Sequence, residues 1–121
     1  MWQLCCWVGL GGALGSIIRY LLANQFYKIN EIPCGTLLVN VVGCLLMGLI
    51  MGFISKSQFD NQQAKLLLAT GFCGGFTTFS AFSFENIQLL QEGKVTSAFI
   101  YIAASLILCF SATWLGLKLQ S

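Results

Sequence analysis

The residues best suited to chemistry lie in one short segment, Gly71-Phe-Cys-Gly-Gly-Phe-Thr-Thr-Phe-Ser-Ala-Phe-Ser83. Glycine costs a helix about 1 kcal/mol relative to alanine, and threonine is stiff and competes for backbone hydrogen bonds. The segment therefore predicts a helix that is interrupted. An interruption frees backbone carbonyls, which suit a hard cation such as Na⁺, and it gives the next half-helix a partially positive N-terminus.

Two aromatic residues, Phe79 and Phe82, follow the expected interruption three positions apart, on one face of the second half-helix. An aromatic ring is negative on its face and positive at its edge. Two rings turned edge-on can therefore meet an anion without any formal positive charge. The alternative is that both rings belong to the core or face lipid, which is the commoner arrangement for an isolated pair.

Other polar residues are spread over the apolar remainder of the chain. Arg19 either extends its guanidinium to the membrane interface or serves a polar pathway. Thr36 and Asn40 lie one turn apart on one helix face, and the amide of Asn40 either joins helices or lines a pathway. A stripe with a four-residue period, which either bonds neighbouring helices or donates to a passing anion, comprises Tyr101, Ser105, Cys109 and Thr113.

The elements that must position these residues follow from composition. The chain has 121 residues, of which 57% are hydrophobic and 8% charged, whereas soluble domains carry about a quarter charged residues. One bilayer span takes about 20 apolar residues. The sequence thus predicts an all-α membrane protein with a single domain over 1–121, and the expected spans are about 2–23, 34–54, 66–84 and 95–117.

The ends of the spans carry further signals. Met1 to Leu4 contain no Lys or Arg, so we expect a first span rather than a cleaved signal peptide. The helical pattern of the third span continues beyond the membrane to Glu92, where Gly93 and Lys94 predict a helix end. Pairs of glycines four residues apart favour close helix contacts in lipid, and they are Gly11/Gly15, Gly48/Gly52 and Gly71/Gly75.

The distribution of Lys and Arg predicts no fixed orientation. With four spans, Lys56, Lys65 and Lys118 fall on one side of the membrane. The other side holds Lys28 and Lys94, together with Arg19 if it leans that way. Because orientation follows the excess of Lys and Arg on the cytoplasmic side, this balance predicts dual topology and pairing with an inverted copy. The alternative is that one misplaced loop boundary distorts the count.

Several function classes are disfavoured by composition. The chain has six cysteines and no histidine, and without a CxxC motif a zinc site is not expected; the cysteines are interpreted as small packing residues. No basic cluster is present to bind nucleic acid. No nucleophile has a base beside it, so we do not expect an enzyme.

Three blocks together resemble the small bacterial fluoride channels of the Fluc or CrcB family: Gly11-Gly-Ala-Leu-Gly-Ser-Ile-Ile-Arg-Tyr20, Gly35-Thr-Leu-Leu-Val-Asn-Val-Val-Gly43 and Gly71-Phe-Cys-Gly-Gly-Phe-Thr-Thr-Phe-Ser80. The resemblance covers nearly the whole chain. It implies an antiparallel homodimer in the bacterial inner membrane, with the third helix broken in mid-membrane. It also implies two pores that pass fluoride passively out of the cytoplasm and protect against its toxicity, and a structural Na⁺ at the dimer centre, bound by the carbonyls of Gly74 and Thr77.

The resemblance also assigns roles to individual residues. The fluoride pathway would comprise Asn40, Phe79, Phe82, Tyr101, Ser105 and Thr113. The supporting or vestibule residues would be Arg19, Thr36, Thr78, Ser80 and Glu85. The chain departs from the family pattern at Cys109, where a hydroxyl is common and a thiol donates more weakly, and at Ala81, where threonine is common.

Two other transport-related functions fit a four-span chain less well. A proton-coupled multidrug exporter needs a carboxylate deep in the membrane, and Glu85 is the one carboxylate near a polar segment of a predicted span. A helper subunit without transport activity would not need hydroxyls, an amide and an interrupted helix together at membrane depth.

Overall fold

Four helices of the computed structural model, which describes residues 1–25, 32–56 and 62–120, are long and apolar enough to cross a membrane. They are α1 (Trp2–Gln25), α2 (Cys34–Lys56), a third span over Gln62–Gln91, and α6 (Val95–Leu119). The prediction of an all-α protein with four spans is confirmed. Parts of the connections between the first three spans, residues 26–31 and 57–61, lie outside the described residues, and so does Lys28.

The third span consists of several helical pieces. A short turn, α3 (Gln62–Ala64), leads into a π-helix, π1 (Lys65–Cys73), and then into α4 (Gly74–Phe76). Thr77 and Thr78 are extended, with φ/ψ of −88°/157° and −148°/121°. The longer helix α5 (Phe79–Gln91) completes the span.

The extended backbone falls on the threonines and not on the glycines before them. Gly74 is helical, with φ −63° and ψ −38°. Thr77 and Thr78 are β-branched residues, which pack well in extended backbone and lose side-chain freedom in a helix. The helix therefore ends after its most permissive residues and not at them.

Helix α1 packs against the third span through a contact that we call the glycine seam: Gly11 and Gly15 on α1, Gly71 on π1 and Gly75 on α4. A Cβ atom at Gly15 would lie 2.9 Å from the amide nitrogen of Phe76, and one at Gly75 would lie 2.6 Å from the carbonyl oxygen of Gly12. Real Cβ atoms do not come so close to backbone, so only glycine allows these two helices their separation.

Helices α2 and α6 meet in a similar way at their crossing. A Cβ at Gly48 would lie 3.0 Å from the amide nitrogen of Leu117, and one at Gly116 would lie 2.6 Å from the carbonyl oxygen of Leu45. The expectation that spaced glycines mark close helix contacts is thus confirmed at Gly48, although its partner Gly116 was not foreseen.

The third span ends close to Gly93 and Lys94, where the sequence predicts a helix end. Helix α5 ends at Gln91, and Gly93 has a φ of +79°, the left-handed conformation that glycine adopts without strain. The amides of Gly93 and Lys94 bond back to the carbonyls of Leu90 and Leu89. Leu89 also joins Ala98 and Tyr101 in a buried cluster between α5 and α6, which fixes the position of α5 relative to α6.

Candidate functional site

An open-sided cavity of about 390 Å³ lies where the extended threonines meet α2 and α6. Helix α2, the third span and α6 all contribute to its wall. The lining residues are Asn40, Cys44, Thr77, Thr78, Phe79, Phe82, Ser105, Leu106, Cys109 and Phe110. The cavity thus collects five of the residues that the sequence analysis singled out for a fluoride pathway or its support: Asn40, Thr78, Phe79, Phe82 and Ser105.

Asn40 binds the backbone of Thr78 through both ends of its amide. Its Nδ2 donates to the Thr78 carbonyl at 3.1 Å, and the Thr78 amide donates to its Oδ1 at 2.8 Å. Two such bonds replace the pairing that an unbroken helix would supply. The Asn40 side chain therefore holds the extended backbone in place, while its nitrogen carries a second hydrogen beyond the one used here.

The hydroxyl of Thr78 caps the following helix. It accepts a hydrogen bond from the amide of Ala81 at 3.2 Å and lies 3.2 Å from the hydroxyl of Ser80. An N-cap hydroxyl of this kind satisfies one of the amide groups that a helix start leaves without a carbonyl partner. Helix α5 can thus begin inside the span, directly at the cavity.

These contacts redirect the donors of two backbone carbonyls. In a continuous α-helix the Gly74 carbonyl accepts from the amide of Thr78, and the Thr77 carbonyl accepts from that of Ala81. Here the Thr78 amide binds Asn40 and the Ala81 amide binds the Thr78 hydroxyl. Both carbonyls, which were expected to bind Na⁺, have therefore lost the donor that a continuous helix gives them.

Arg19 contacts the same stretch of backbone. Its Nε donates to the carbonyl of Gly75 at 3.0 Å, and its side chain is half-buried. The Gly75 carbonyl would bind the amide of Phe79 in a continuous helix. Arg19 thus stabilises the end of α4 from α1, a contact that neither of its sequence-based interpretations included.

The aromatic rings form a short series across α5 and α6. The ring centroids of Phe79 and Phe82 lie 5.7 Å apart at an interplanar angle of 51°. Phe82 and Tyr101 lie 5.1 Å apart at 69°, an edge-to-face arrangement. Phe82 is half-buried, whereas Phe79 is 77% exposed in the single chain. The packing of Phe82 against Tyr101 therefore sets the orientation of its ring.

Glu85 accepts hydrogen bonds from two other helices beside the cavity. The hydroxyl of Thr36 donates to Oε2 at 2.9 Å, and the hydroxyl of Tyr101 donates to Oε1 at 3.0 Å. Both donors are buried. The three residues join α2, α5 and α6 in one network, whose members the sequence analysis named separately without pairing them.

The hydroxyls of the fourth span lie in three different environments. Tyr101 is buried, donates its hydroxyl to Glu85 and does not line the cavity. Ser105 lines it with 6% exposure, and its Oγ has no hydrogen-bond partner within the described residues. Thr113 donates to the carbonyl of Cys44 at 3.2 Å. These three members of the stripe with a four-residue period therefore lie in different surroundings and do not form one continuous row of free donors.

One polar side chain of the cavity, Cys44, was not predicted from the sequence as part of a site. It lies one turn after Asn40 on α2, so the same periodicity that linked Thr36 and Asn40 would have found it. Leu106 and Phe110 complete the apolar part of the wall and carried no sequence signal. Within the parts of the chain that the structure describes, no three His, Cys, Asp or Glu side chains cluster as metal ligands.

The fold and this cavity define a class of protein: a multi-pass membrane protein in which several polar side chains converge on a cavity between spans. Residues 6–117 match the family of CrcB-like proteins, described as Camphor Resistance (CrcB). The chain belongs to that family, as its resemblance had indicated.

Similar proteins from three bacteria carry the name fluoride-specific ion channel FluC. That of Flavobacterium psychrophilum is 48% identical over 113 residues, which cover 92% of this chain and 91% of the relative. That of Geobacter metallireducens is 45% identical over 91% and 90% of the two chains. That of Gloeothece citriformis is 47% identical over 93% and 92%. All three are named as channels and not as enzymes, in agreement with the expectation for this chain.

Proposed function

We propose that the protein is a fluoride channel that lets F⁻ leave the cytoplasm passively down its electrochemical gradient. One observation carries the proposal: a largely apolar cavity between spans presents a few hydrogen-bond donors, and among them the buried hydroxyl of Ser105 has no protein partner within the described residues. A buried polar group without a protein partner usually binds something else. The names of the similar channels indicate that the bound species is fluoride.

The cavity suits a small anion that gives up its water reluctantly. It offers the second amide hydrogen of Asn40, the hydroxyl of Ser105 and the polarised edges of Phe79 and Phe82. The first amides of α5 add partial positive charge at the same place. None of the lining residues is Lys or Arg, so each site is weak enough for the ion to leave, as conduction requires.

A second, inverted copy would close the cavity. In the single chain the cavity is open on one side and Phe79 is largely exposed, yet polar backbone is not stable against lipid. Gly74 is also exposed, with nothing within 4 Å of the place where a Cβ would be. We therefore propose an antiparallel homodimer in the bacterial inner membrane. It would have two pores, one at the cavity of each subunit.

A structural Na⁺ fits the same interface. The carbonyls of Gly74 and Thr77 have lost their helical donors, and carbonyl oxygens are the ligands that hard cations prefer. Two copies would bring four such oxygens together at the dimer centre. The ion would offset their mutual repulsion and join the subunits, while fluoride would pass elsewhere, along the cavity.

The arrangement of Glu85 counts against a proton-coupled exporter. Such a carboxylate must exchange protons with a cationic substrate. Each oxygen of Glu85 instead accepts a hydroxyl bond from a buried residue on another helix. These bonds hold both carboxylate oxygens in a structural network, and none of the residues that line the cavity is Asp or Glu.

Fluoride efflux from liposomes tests the proposal. Purified protein should release trapped fluoride, followed with a fluoride electrode, far faster than chloride, and the rate should follow a voltage imposed with valinomycin. Phe79→Ile and Phe82→Ile should slow release severely. Phe99→Ile is the matched control, because Phe99 lies exposed on α6 and away from the cavity. Equal rates for the control and both cavity variants would remove the rings from the pathway.

Topology and assembly are tested separately in cells. A reporter at the C-terminus should be accessible from both sides of the membrane, and cysteine crosslinking through Gly74→Cys should join two chains. Accessibility from one side only would exclude the inverted dimer, even if fluoride transport were observed.

A further inference from the structure

We propose that Cys44 and Cys109 form a binding site for a thiophilic d¹⁰ cation of the Cu⁺ and Ag⁺ class, and that an ion bound there blocks the cavity. The two thiols come from different helices, α2 and α6, and both line the same opening. Both are free cysteines and half-buried. The blocking effect depends on the proposed channel function, whereas the binding site itself does not.

The helix contact places the two thiols near one another. The hydroxyl of Thr113 donates to the carbonyl of Cys44 at 3.2 Å, and Cys109 lies one turn from Thr113 on the same face of α6. Gly48, which makes the close contact with α6, lies one turn after Cys44 on α2. Both thiols therefore lie within one helical turn of the closest approach of the two helices, on the wall of the same cavity.

The chemistry of a thiol pair selects the cation. Thiolates are soft ligands that prefer ions such as Cu⁺, and d¹⁰ ions of this class bind stably in linear two-coordinate geometry. When the ion binds, each thiol gives up its proton to water in the cavity, and two sulfur–metal bonds form without any change of oxidation state. Hard cations such as Na⁺ gain nothing from these ligands.

The position of the pair explains why occupancy would stop fluoride. Ser105 lies one turn from Cys109 and Asn40 lies one turn from Cys44, so the pair sits beside the two donors of the proposed pathway. A bound metal would bridge α2 and α6 across the wall of the cavity and fill part of its volume. This site is specific to a chain with cysteine at both positions.

Silver sensitivity of fluoride efflux tests the block. Efflux is measured in chloride-free liposomes with added silver nitrate, and each rate is compared with the silver-free rate of the same variant. Wild type should stop at low silver concentration and recover with excess dithiothreitol. Cys44→Ser and Cys109→Ser should each need at least about tenfold more silver, since losing one of two ligands removes well over 1.4 kcal/mol.

The matched control is Cys34→Ser. Cys34 is also half-buried on α2 but lies away from the cavity, so this variant should keep the silver sensitivity of wild type. Equal sensitivity of wild type, Cys44→Ser and Cys109→Ser would overturn the assignment of the block to this pair.

Direct binding separates this inference from the channel function. A variant that keeps only Cys44 and Cys109 is made by changing the other cysteines to Ala: Cys5, Cys6, Cys34 and Cys73. This variant should bind one Ag⁺ per chain tightly in equilibrium dialysis. Adding Cys109→Ser should abolish that binding. Absence of tight binding overturns the site. Tight binding in a protein without fluoride flux would leave the site standing and refute the channel proposal instead.

Discussion

The glycine seam, where α1 meets the third span, and the segment from Thr77 to Phe82 are neighbours, yet they are built in opposite ways. The seam has no side chains at all, so backbone meets backbone, and its specificity is purely steric. In the segment, side chains take over the hydrogen bonds that the backbone has lost: Asn40 Oδ1 and the Thr78 hydroxyl accept in place of helical carbonyls, and Asn40 Nδ2 donates in place of a helical amide. The first arrangement fixes where helices lie, and the second allows a helix to end inside a membrane.

The comparison teaches that tolerance to substitution should differ sharply between the two regions. In the seam an added methyl group has no space, so even alanine is excluded. In the segment, volume matters less than the number of hydrogen bonds. Substitutions in the seam should therefore abolish the folded protein, whereas those in the segment should first weaken stability and flux.

The largest effect is expected for Gly11→Ala. The new Cβ would overlap the carbonyl oxygen of Leu67 and lie 2.8 Å from the amide nitrogen of Phe72. Because both neighbours are backbone, the helices must separate, and little monodisperse protein should survive size-exclusion chromatography in detergent. Gly9→Ala is the control, since nothing lies within 4 Å of a Cβ at Gly9. Similar yields of both variants would contradict the steric role of the seam.

Asn40→Ala should have the next largest effect. It leaves the amide and carbonyl of Thr78 without their partners, and each unsatisfied buried group costs about 1–3 kcal/mol. We expect a clearly lower thermal midpoint and severely reduced fluoride efflux, with protein that still assembles. Asn24→Ala, at the exposed end of α1, should leave both measurements unchanged. A normal midpoint for Asn40→Ala would show that the extended backbone does not depend on this side chain.

Ser105→Ala should reduce flux with little change in stability. The hydroxyl has no protein partner to lose among the described residues. Its removal therefore takes one donor from the ion and hardly changes the stability of the fold. A hydrogen bond to a charged group is worth about 1.5–3 kcal/mol, which corresponds to at least a tenfold slower rate if it acts on the barrier. Thr113→Val should slow efflux less, because Thr113 binds the carbonyl of Cys44 and does not line the cavity.

The smallest expected effect concerns the Glu85 network. Tyr101→Phe removes one donor to the carboxylate and should lower the free energy of unfolding by about 1 kcal/mol. Glu85→Gln keeps one acceptor oxygen, so the double variant should cost less than the sum of the single changes. Additive costs, measured by reversible unfolding in detergent, would show that the 3.0 Å contact between the two residues is not energetically coupled.

Much of the fold follows from the sequence alone. Hydropathy over about 20 residues identifies each span, Gly93 and Lys94 mark the end of the third, and glycines four apart mark the seam. The convergence of Asn40, Phe79 and Ser105 also agrees with the family resemblance. These features depend on local composition or on short repeats, which a single sequence displays directly.

The remaining features depend on contacts between distant residues. The bonds of Glu85 to Thr36 and Tyr101 join three helices, and nothing in the local pattern pairs them. The π-helix of Lys65–Cys73, which packs against α1, has no local sequence signal. Likewise, Gly74 and Gly75 suggested a weak point in the helix, but the position of Asn40 places the extended backbone at Thr77 and Thr78.

The paired bonds between Asn40 and Thr78 have a mechanical consequence. A residue whose amide and carbonyl are both bonded to one partner resembles a single rung of a β-ladder, although the partner here is a side chain on a helix. Such a rung resists sliding as well as separation. We therefore expect a displacement of α2 along the bilayer normal to be transmitted through Thr78 to the first turn of α5, which carries Phe79.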